Sequence, residues 1–260
     1  MQTNMLRLSL AQTTLSWEDP KGNLAHFAHL LSTLQPGQTD VVILPEMFTT
    51  GFSMSPKGLA EPTEGRAYHW MAQEAARLSA VVAGSIMVEE NGQYFNRLLW
   101  VRPDGSYAYY DKRHLFTLAG EQEHYSPGQK PLLVQWKGWA IMPLICYDLR
   151  FPVWSRNQYR YDLLLYVANW PAMRIAAWDA LLRARAIENQ AYTVGVNRIG
   201  DDGNGYPHCG HSSVYDYSGG CRLLVSESAG IFTLSLEKKE QDQFRSKLAF
   251  LNDQDAFEIL

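Results

Sequence analysis

The sequence has few cysteines, no excess of basic residues and no long apolar run. Among its 260 residues the cysteines are Cys146, Cys209 and Cys221. Three is a small and odd number, which argues against the disulfide framework of a secreted domain. Basic residues number 23 against 27 acidic residues, so the chain lacks the positive surface that nucleic-acid phosphates require. No apolar run reaches the ~18–20 residues of a membrane-spanning helix, and residues 1–12 lack the pattern of a secretion signal. We therefore expect a cytoplasmic protein that binds neither nucleic acid nor a membrane.

Short apolar runs alternate with helical patterns along the chain, which is typical of α/β layered proteins. Hydrophobic residues make up 46% of the sequence, too many for a disordered chain. No Ser/Gly linker or charge block divides the sequence, so residues 1–260 are predicted to form one domain. Strands are predicted at residues 5–11, 41–44, 81–89, 94–102, 107–111, 132–136, 140–145, 162–167 and 192–198, with three more after a loop over 200–211. Helices are predicted from Asp19-Pro20 onward and over residues 66–79, 176–189 and 237–248.

An apolar tail ends the sequence. Residues 250–260 include Phe250, Leu251, Phe257, Ile259 and Leu260. Exposure of these apolar side chains to water is unfavourable, so the tail is expected to dock on a protein surface. That surface is either the protein's own domain or a second subunit, and the sequence leaves both open.

Cys146 ends a predicted buried strand, where the chain is expected to turn toward Pro152 and a following helix. A nucleophile elbow places its reactive side chain at such a position, beside the backbone N–H groups of a helix start. Those groups favour the thiolate, which is the reactive form of cysteine. A small buried hydrophobic residue is the alternative, because that is the commonest role of a free cysteine.

Glu46 and Lys112 also close predicted strands. Glu46 directly follows the wholly apolar run Val41-Val42-Ile43-Leu44, and ligands of open α/β sheets bind at the carboxyl ends of strands. Lys112 follows the predicted strand at residues 107–111. Taken singly, each is more simply interpreted as a charged surface residue at a strand end.

Taken together, the three residues occur in order in five distinctive segments. These segments are Leu44-Pro45-Glu46-Met47-Phe48, Asp111-Lys112-Arg113-His114-Leu115-Phe116, Cys146-Tyr147-Asp148-Leu149-Arg150-Phe151-Pro152, Ala168-Asn169-Trp170-Pro171 and Arg183-Ala184-Arg185-Ala186-Ile187-Glu188-Asn189. In this combination the sequence resembles the nitrilase superfamily of carbon–nitrogen hydrolases, and within it the bacterial omega-amidases. One position departs from the pattern, because many relatives have Glu where this chain has Val153.

The resemblance implies a four-layer α-β-β-α sandwich, paired into at least a homodimer. It also implies that Glu46, Lys112 and Cys146 form a catalytic triad, with Glu121 as a second catalytic glutamate. Neither a metal nor a cofactor is expected. The residues expected to bind the substrate are Tyr147, Phe116, Trp170 and Arg174. An arginine is a natural clamp for a substrate carboxylate, although Arg174, Arg183 and Arg185 together are also compatible with a solvated helix face.

The function implied is hydrolysis of small carboxylate-bearing amides, such as 2-oxoglutaramate and 2-oxosuccinamate, to the 2-oxo acid and ammonia. Cys146 would attack the amide, and Glu46 would carry protons. The pKa values of a free thiol and a free glutamate differ by ~4 units, which opposes the first proton transfer. We therefore expect the ammonium of Lys112 and a helix end to lower the pKa of Cys146, in a pocket with little water.

Several alternatives stay open. Within the superfamily, a deaminated-glutathione-type amidase has a similar nucleophile segment, whereas nitrilases tend to show Trp-Glu where this chain has Tyr147-Asp148. A catalytically silent interaction module is the alternative from another class. The segment His208-Cys209-Gly210-His211, with nearby Asp201 and Asp202, is interpreted as an ordinary loop, because its spacing matches no established zinc pattern. Asp201-Asp202-Gly203-Asn204-Gly205 lacks the terminal Glu of a calcium loop, and no histidine is marked as a partner for a papain-like cysteine.

Overall fold

Two six-stranded mixed sheets form the centre of the fold, which a computed structural model describes over residues 5–259. The first sheet contains β1 (Met5–Gln12), β2 (Val41–Ile43), β3 (Val81–Glu90), β4 (Gln93–Val101), β5 (Tyr107–Asp111) and β14 (Gly230–Glu237), in the order β14-β1-β2-β3-β4-β5. The second contains β6 (Val134–Trp136), β7 (Trp139–Ile145), β8 (Leu163–Ala168), β9 (Tyr192–Asn197), β12 (Ser212–Tyr215) and β13 (Cys221–Val225), in the order β13-β12-β9-β8-β7-β6. The three strands β1, β2 and β3 run parallel, as do β7, β8 and β9.

Helices cover the outer faces of the two sheets. The helices α1 (Pro20–Leu31) and α2 (Arg66–Leu78) pack their apolar side chains on the first sheet. The helix α3 (Ile175–Asn189) packs on the second sheet, where Gly195 allows a close approach: a Cβ there would lie 2.5 Å from Leu182 Cδ1 and Trp178 Cζ2. Between the sheets lies an apolar layer to which alternate residues of β1, such as Leu8 and Leu10, contribute. The predicted α-β-β-α sandwich is therefore confirmed.

A final helix, α4 (Lys238–Lys247), ties the end of the chain to the second sheet, because Gln241 donates to the Asp162 carbonyl at 2.8 Å. The tail beyond it contacts its own domain: Leu251 is buried, and the Phe257 carbonyl accepts from Gln158 at 3.2 Å. Phe250, Phe257 and Ile259 stay exposed, and Leu260 lies outside the described residues. Docking of these exposed side chains on a second subunit remains a prediction.

Two predicted elements differ from the structure. No helix follows Pro152; instead a single 3₁₀ turn spans Cys146–Arg150, and residues 152–155 and 157–159 form turns and bends. Proline disfavours a helical residue before it, which ends the turn at this point. The predicted loop over residues 200–211 contains a short hairpin of β10 (Ile199–Asp201) and β11 (Pro207–Cys209). Within residues 5–259, no helix has the length and apolar character needed to cross a membrane.

Candidate active site

Glu46 is the first charged residue after β2 and is fully buried. Its Oε1 accepts from Lys112 Nζ at 2.9 Å and from Asn96 Nδ2 at 2.8 Å, and its Oε2 accepts from the Asn169 backbone N–H at 2.8 Å. Asn169 also donates its side-chain amide to the Glu46 carbonyl at 2.6 Å. Because Glu46 follows β2 of the first sheet and Asn169 follows β8 of the second, this carboxylate joins the two sheets at the carboxyl ends of their strands.

Lys112 follows β5 directly, and its ammonium lies between two glutamates. Nζ is 2.9 Å from Glu46 Oε1 and 2.9 Å from Glu121 Oε2, with the ring of Phe52 centred 4.9 Å away. Burial opposes the charge of Lys112, but the carboxylates of Glu121 and Glu46 outweigh it and raise the pKa of the lysine. Lys112 therefore carries its positive charge at neutral pH.

Glu121 reaches Lys112 from a loop rather than from a strand. It begins a 3₁₀ turn, Glu121–Glu123, after Gly120 in the left-handed conformation. Its carboxylate also accepts from the Phe116 backbone N–H at 2.5 Å. Burial raises the pKa of Glu121, although the ammonium of Lys112 opposes the rise. The structure thus brings the predicted second glutamate to the same ammonium as Glu46.

Cys146 begins the 3₁₀ turn at the end of β7, with a φ of 42°. A left-handed residue other than glycine costs about 1–3 kcal/mol, and such strain is common where a side chain must be presented to a ligand. Burial raises the pKa of the Cys146 thiol well above its usual range; the negative charge of Glu46 adds to the rise, and Lys112 opposes it. The expectation of a lowered pKa was therefore wrong.

Two physical features explain this correction. The turn after Cys146 is one five-residue 3₁₀ segment, too short for the aligned peptide dipoles that stabilise a thiolate at a longer helix. The ammonium of Lys112 does act to lower the pKa of Cys146, but burial and the negative charge of Glu46 outweigh it. Cys146 rests as a thiol, and a base must take its proton before it can act as a nucleophile.

A cavity of about 630 Å³ opens beside this cluster. Lys112, Cys146 and Asn169 contribute to its wall, and so do all four residues predicted to bind the substrate, which are Tyr147, Phe116, Trp170 and Arg174. Glu46 and Glu121 lie behind the wall, fully buried. The reactive sulfur is therefore accessible from the cavity, while the two carboxylates are shielded from solvent.

Aromatic rings and guanidinium groups form much of the remaining wall. The rings of Phe116 and Tyr147 meet edge to face, 5.0 Å apart. The guanidinium of Arg174 lies 5.3 Å from the centre of the Phe116 ring, and that of Arg150 lies 4.9 Å from the Trp170 ring. Over residues 5–259, neither arginine forms an ion pair with an acidic side chain. The cavity thus presents two cations whose charge is available to an anionic ligand.

The other two arginines considered as clamps lie elsewhere. Arg185 is buried in α3, donating to the Leu149 carbonyl at 2.7 Å and pairing with Glu188 at 2.9 Å. Arg183 is exposed and contributes nothing to the cavity wall. Arg185 therefore stabilises the turn after Cys146, while Arg174 and Arg150 face the cavity.

Comparison with known proteins identifies the family. Residues 7–229 match the family model for carbon–nitrogen hydrolases. The chain belongs to this family. This carbon–nitrogen hydrolase is 46% identical to "Omega-amidase YafV" of Yersinia enterocolitica, over 98% of this chain and 99% of the relative. It is 30% identical to a 2-oxoglutaramate amidase of Bacillus subtilis, over 95% of this chain and 96% of the relative.

A solved structure agrees with the fold in detail. The crystal structure of a CN-hydrolase superfamily protein from Xanthomonas campestris superposes with a TM-score of 0.96, at 43% identity, covering 98% of this chain and 99% of that one. The predicted nitrilase-superfamily resemblance is thereby confirmed.

Sequence reasoning missed several residues of this carbon–nitrogen hydrolase site. Asn96 lies inside β4, and its amide bridges Glu46 at 2.8 Å and Glu121 at 3.5 Å. Asn169, Asp148 and Arg150 stand in the segments that carried the family resemblance, but no role was assigned to them. Asn96 is one of several polar residues of β4, with Arg97 directly after it, so no local pattern in the sequence distinguishes it.

The histidine- and cysteine-containing hairpin does not form a metal cluster. Across the described part of the chain, His, Cys, Asp and Glu side chains do not gather in groups of three that could hold an ion. His208 contributes to the cavity wall, and His211 pairs with Asp179 at 2.9 Å. The hairpin therefore shapes one side of the cavity.

Proposed function

We propose that this carbon–nitrogen hydrolase is an omega-amidase, which converts omega-amides of 2-oxo dicarboxylates such as 2-oxoglutaramate and 2-oxosuccinamate to the 2-oxo acid and ammonia. The observation that carries the proposal is one cavity containing the Cys146 thiol, the Lys112 ammonium and two guanidinium groups that pair with no acidic side chain among residues 5–259. The sulfur can attack an amide carbon, and the ammonium can bind the amide oxygen. The guanidinium groups can bind a carboxylate. The named activities of the bacterial relatives support the same substrate class.

The first step forms a thioester. Glu46 accepts the proton of Cys146 while the sulfur attacks the amide carbon, and the carbonyl electrons move onto the oxygen. Lys112 and the Tyr147 backbone N–H stabilise that oxyanion, because both are fixed donors in residues that line the cavity beside Cys146. When the carbonyl re-forms, the carbon–nitrogen bond breaks. Glu46 returns its proton to the departing nitrogen, which leaves as ammonia.

The second step consumes water. Glu46 takes a proton from a water molecule as its oxygen attacks the thioester carbon. Collapse of this second oxyanion breaks the carbon–sulfur bond, and the proton on Glu46 returns to the sulfur. One amide and one water thus become one carboxylic acid and one ammonia. Glu121 holds the ammonium of Lys112 in place through both steps.

Arg174 and Arg150 are assigned to the carboxylate at the other end of the substrate. A guanidinium binds a carboxylate through two parallel hydrogen bonds, which fix its orientation as well as its charge. The aromatic rings of Phe116 and Trp170 support the two guanidinium groups. A substrate anchored in this way presents its far amide to Cys146.

Ammonia release from a panel of amides tests this function. The panel contains 2-oxoglutaramate, 2-oxosuccinamate, uncharged amides, deaminated glutathione, nitriles and N-carbamoyl compounds, with Cys146→Ala as the control. For deaminated glutathione, whose amide nitrogen belongs to a dipeptide, release of the dipeptide amine is measured in place of ammonia. Release that is fastest from the 2-oxo-acid amides and absent in Cys146→Ala supports the proposal. Activity confined to nitriles or to deaminated glutathione, or release that survives Cys146→Ala, overturns it.

Two remaining features belong to the same proposal. An inert interaction module needs no base for its cysteine. Because Glu46 is proposed to accept the proton of the Cys146 thiol, we expect iodoacetamide to alkylate Cys146 in the folded protein despite its raised pKa. The assembly is proposed to be at least a homodimer, and the exposed apolar side chains of the tail would contribute to its interface. Light scattering checks this point, since a single species at the chain mass of 29.6 kDa would contradict it.

A further inference from the structure

A buried carboxylate that the mechanism does not use lies directly beside the nucleophile. Asp148 stands two residues after Cys146 and is fully buried. Its Oδ2 accepts from the Ile145 backbone N–H at 3.1 Å and from the Tyr110 hydroxyl at 2.7 Å. Its Oδ1 accepts from the backbone N–H and the Nδ1 of His114, at 3.0 Å and 2.8 Å. All four contacts suit an ionised carboxylate, which accepts hydrogen bonds at both oxygens.

The four donors come from both halves of the candidate active site. Ile145 is the residue before Cys146 and belongs to the second sheet. Tyr110 and His114 lie two residues before and two residues after Lys112, at the end of β5 in the first sheet. Asp148 therefore connects the backbone that presents the sulfur to the backbone that presents the ammonium.

Neighbouring contacts extend this connection. The Tyr110 hydroxyl, which donates to Asp148, also accepts from the Arg113 backbone N–H at 3.1 Å and from Trp154 Nε1 at 3.0 Å. The imidazole of His114 stacks on the Phe151 ring, with the ring centres 3.7 Å apart. The segments on either side of both reactive groups are thus fixed by contacts that centre on one carboxylate.

We propose that Asp148 is a positioning residue, which sets the distance between Cys146 and Lys112. At that distance the sulfur can attack the carbon of a substrate carbonyl while the ammonium binds its oxygen. This inference rests on the proposed amide hydrolysis. It also explains how Cys146 holds its left-handed backbone conformation, because the residue before the cysteine and the carboxylate two residues after it are hydrogen-bonded to each other.

The substitution Asp148→Asn tests this role with little change in shape. An amide has one oxygen and one NH₂ group, whereas the carboxylate accepts at both ends. In either orientation the NH₂ group faces a backbone N–H, that of Ile145 or that of His114, and a backbone donor cannot reverse. The turn at Cys146 or the segment after Lys112 must therefore shift.

Asp162 supplies a matched control. It is a buried carboxylate of the same sheet, immediately before β8, and accepts from the Ala140 backbone N–H at 2.9 Å and from Lys238 and Arg245 at 2.6 Å and 3.0 Å. It lies at the amino ends of β7 and β8, whereas Cys146 lies at the carboxyl end of β7. Asp162→Asn removes a comparable set of contacts without touching the candidate active site.

The experiment measures kcat and KM for 2-oxoglutaramate, the rate of Cys146 alkylation by iodoacetamide, and the melting temperature of both variants. For Asp148→Asn we expect kcat to fall by about 10²-fold, the cost of misplacing a catalytic group by on the order of 1 Å. KM should stay close to that of the wild type, and the alkylation rate should change. For Asp162→Asn the melting temperature should fall while kcat and the alkylation rate stay near the wild type.

Three results overturn the inference: normal kcat in folded Asp148→Asn, an equal loss of kcat in both variants, or a loss that appears in KM alone. If Asp148→Asn does not fold, Tyr110→Phe decides the matter, because it removes one of the four contacts of Asp148 together with the contacts that the same hydroxyl accepts from Arg113 and Trp154. It should give a smaller fall in kcat at unchanged KM. If the wild type releases no ammonia from any amide, the proposed function fails. The alkylation rates still test Asp148 in that case.

Discussion

The Nζ atom of Lys112 lies 2.9 Å from Oε1 of Glu46, and both side chains are shielded from solvent. This contact joins the end of β5 to the segment after β2. Since Glu121 binds the same ammonium, the cluster contains two carboxylates for one cation. Burial and the negative charge of Glu46 raise the pKa of Cys146, so the proposed mechanism needs Glu46 to accept the proton of the thiol.

Replacing Lys112 with methionine should strongly reduce turnover while keeping a side chain of similar length. Losing one oxyanion donor costs about 10²–10³-fold in kcat. The unpaired glutamates should also destabilise the fold, because breaking a buried ion pair costs about 3–5 kcal/mol. Steady-state ammonia release and thermal unfolding measure the two effects.

The control for this substitution is Lys137→Met, since Lys137 pairs with Asp40 away from the cavity. That variant should keep its turnover. If Lys112→Met also kept near-normal turnover, Lys112 would have no role in stabilising the oxyanion.

Glu46→Gln should lower the pKa of Cys146 while abolishing turnover. The negative charge of Glu46 raises the pKa of the thiol, and a neutral amide removes that contribution. Burial, the larger cause, remains, so the pKa of Cys146 should fall without reaching the usual range. The rate of iodoacetamide alkylation, followed by mass spectrometry against pH, should show its midpoint at lower pH in the variant than in the wild type. A midpoint displaced to higher pH would contradict this electrostatic account.

Arg174→Ala should weaken the binding of charged amides selectively. A hydrogen bond to a charged group contributes about 1.5–3 kcal/mol, so KM for 2-oxoglutaramate should rise by about 10- to 100-fold. The KM for uncharged amides should change little, because these substrates have no carboxylate for Arg174 to bind. Arg183→Ala is the matched control on the exposed side of α3. An equal rise in KM for charged and uncharged amides would show that Arg174 shapes the cavity rather than binding a carboxylate, and Arg150→Ala would then become the variant to measure.

Asp40 should make the fold sensitive to acid. Burial opposes its charge, but hydrogen bonds from Arg7 and Lys137 outweigh burial and lower the pKa of Asp40 to about 2. Because this pKa lies below the unfolded value of about 3.9, the stabilisation is present above pH ~4 and is lost as the pH falls toward ~2. The difference in unfolding free energy between the wild type and Asp40→Asn should therefore shrink over that interval. A difference that grew on acidification would refute the assignment.

The strands and helices followed closely from local patterns in the sequence. The start of α1 was predicted from Asp19-Pro20, and the Asp19 carboxylate does cap the helix by accepting from the Gly22 N–H at 2.9 Å. The strand predicted at residues 107–111 has the same bounds as β5. The hairpin of β10 and β11 was missed because its strands are only three residues long and rich in glycine and proline, which are typical of loops.

The raised pKa of Cys146 could not be predicted in this way. It depends on the depth of burial and on the negative charge of Glu46, which lies 100 positions away in the chain, and neither has a local pattern. The link from Asp148 to Tyr110 and His114 spans residues more than 30 positions apart in the chain. Arg150 was not predicted to reach the cavity, because its orientation depends on where the turn after Cys146 ends.

The most direct test of the central claim is a search for the covalent intermediate on Cys146. The enzyme is mixed with 2-oxoglutaramate, quenched in acid during turnover and digested, and the peptide containing Cys146 is analysed by mass spectrometry. We predict an acyl group of the 2-oxo acid on the sulfur, formed together with ammonia and absent in Cys146→Ala. Ammonia release with an unmodified Cys146 under every quench condition, or an acyl group on a different residue, would contradict the account.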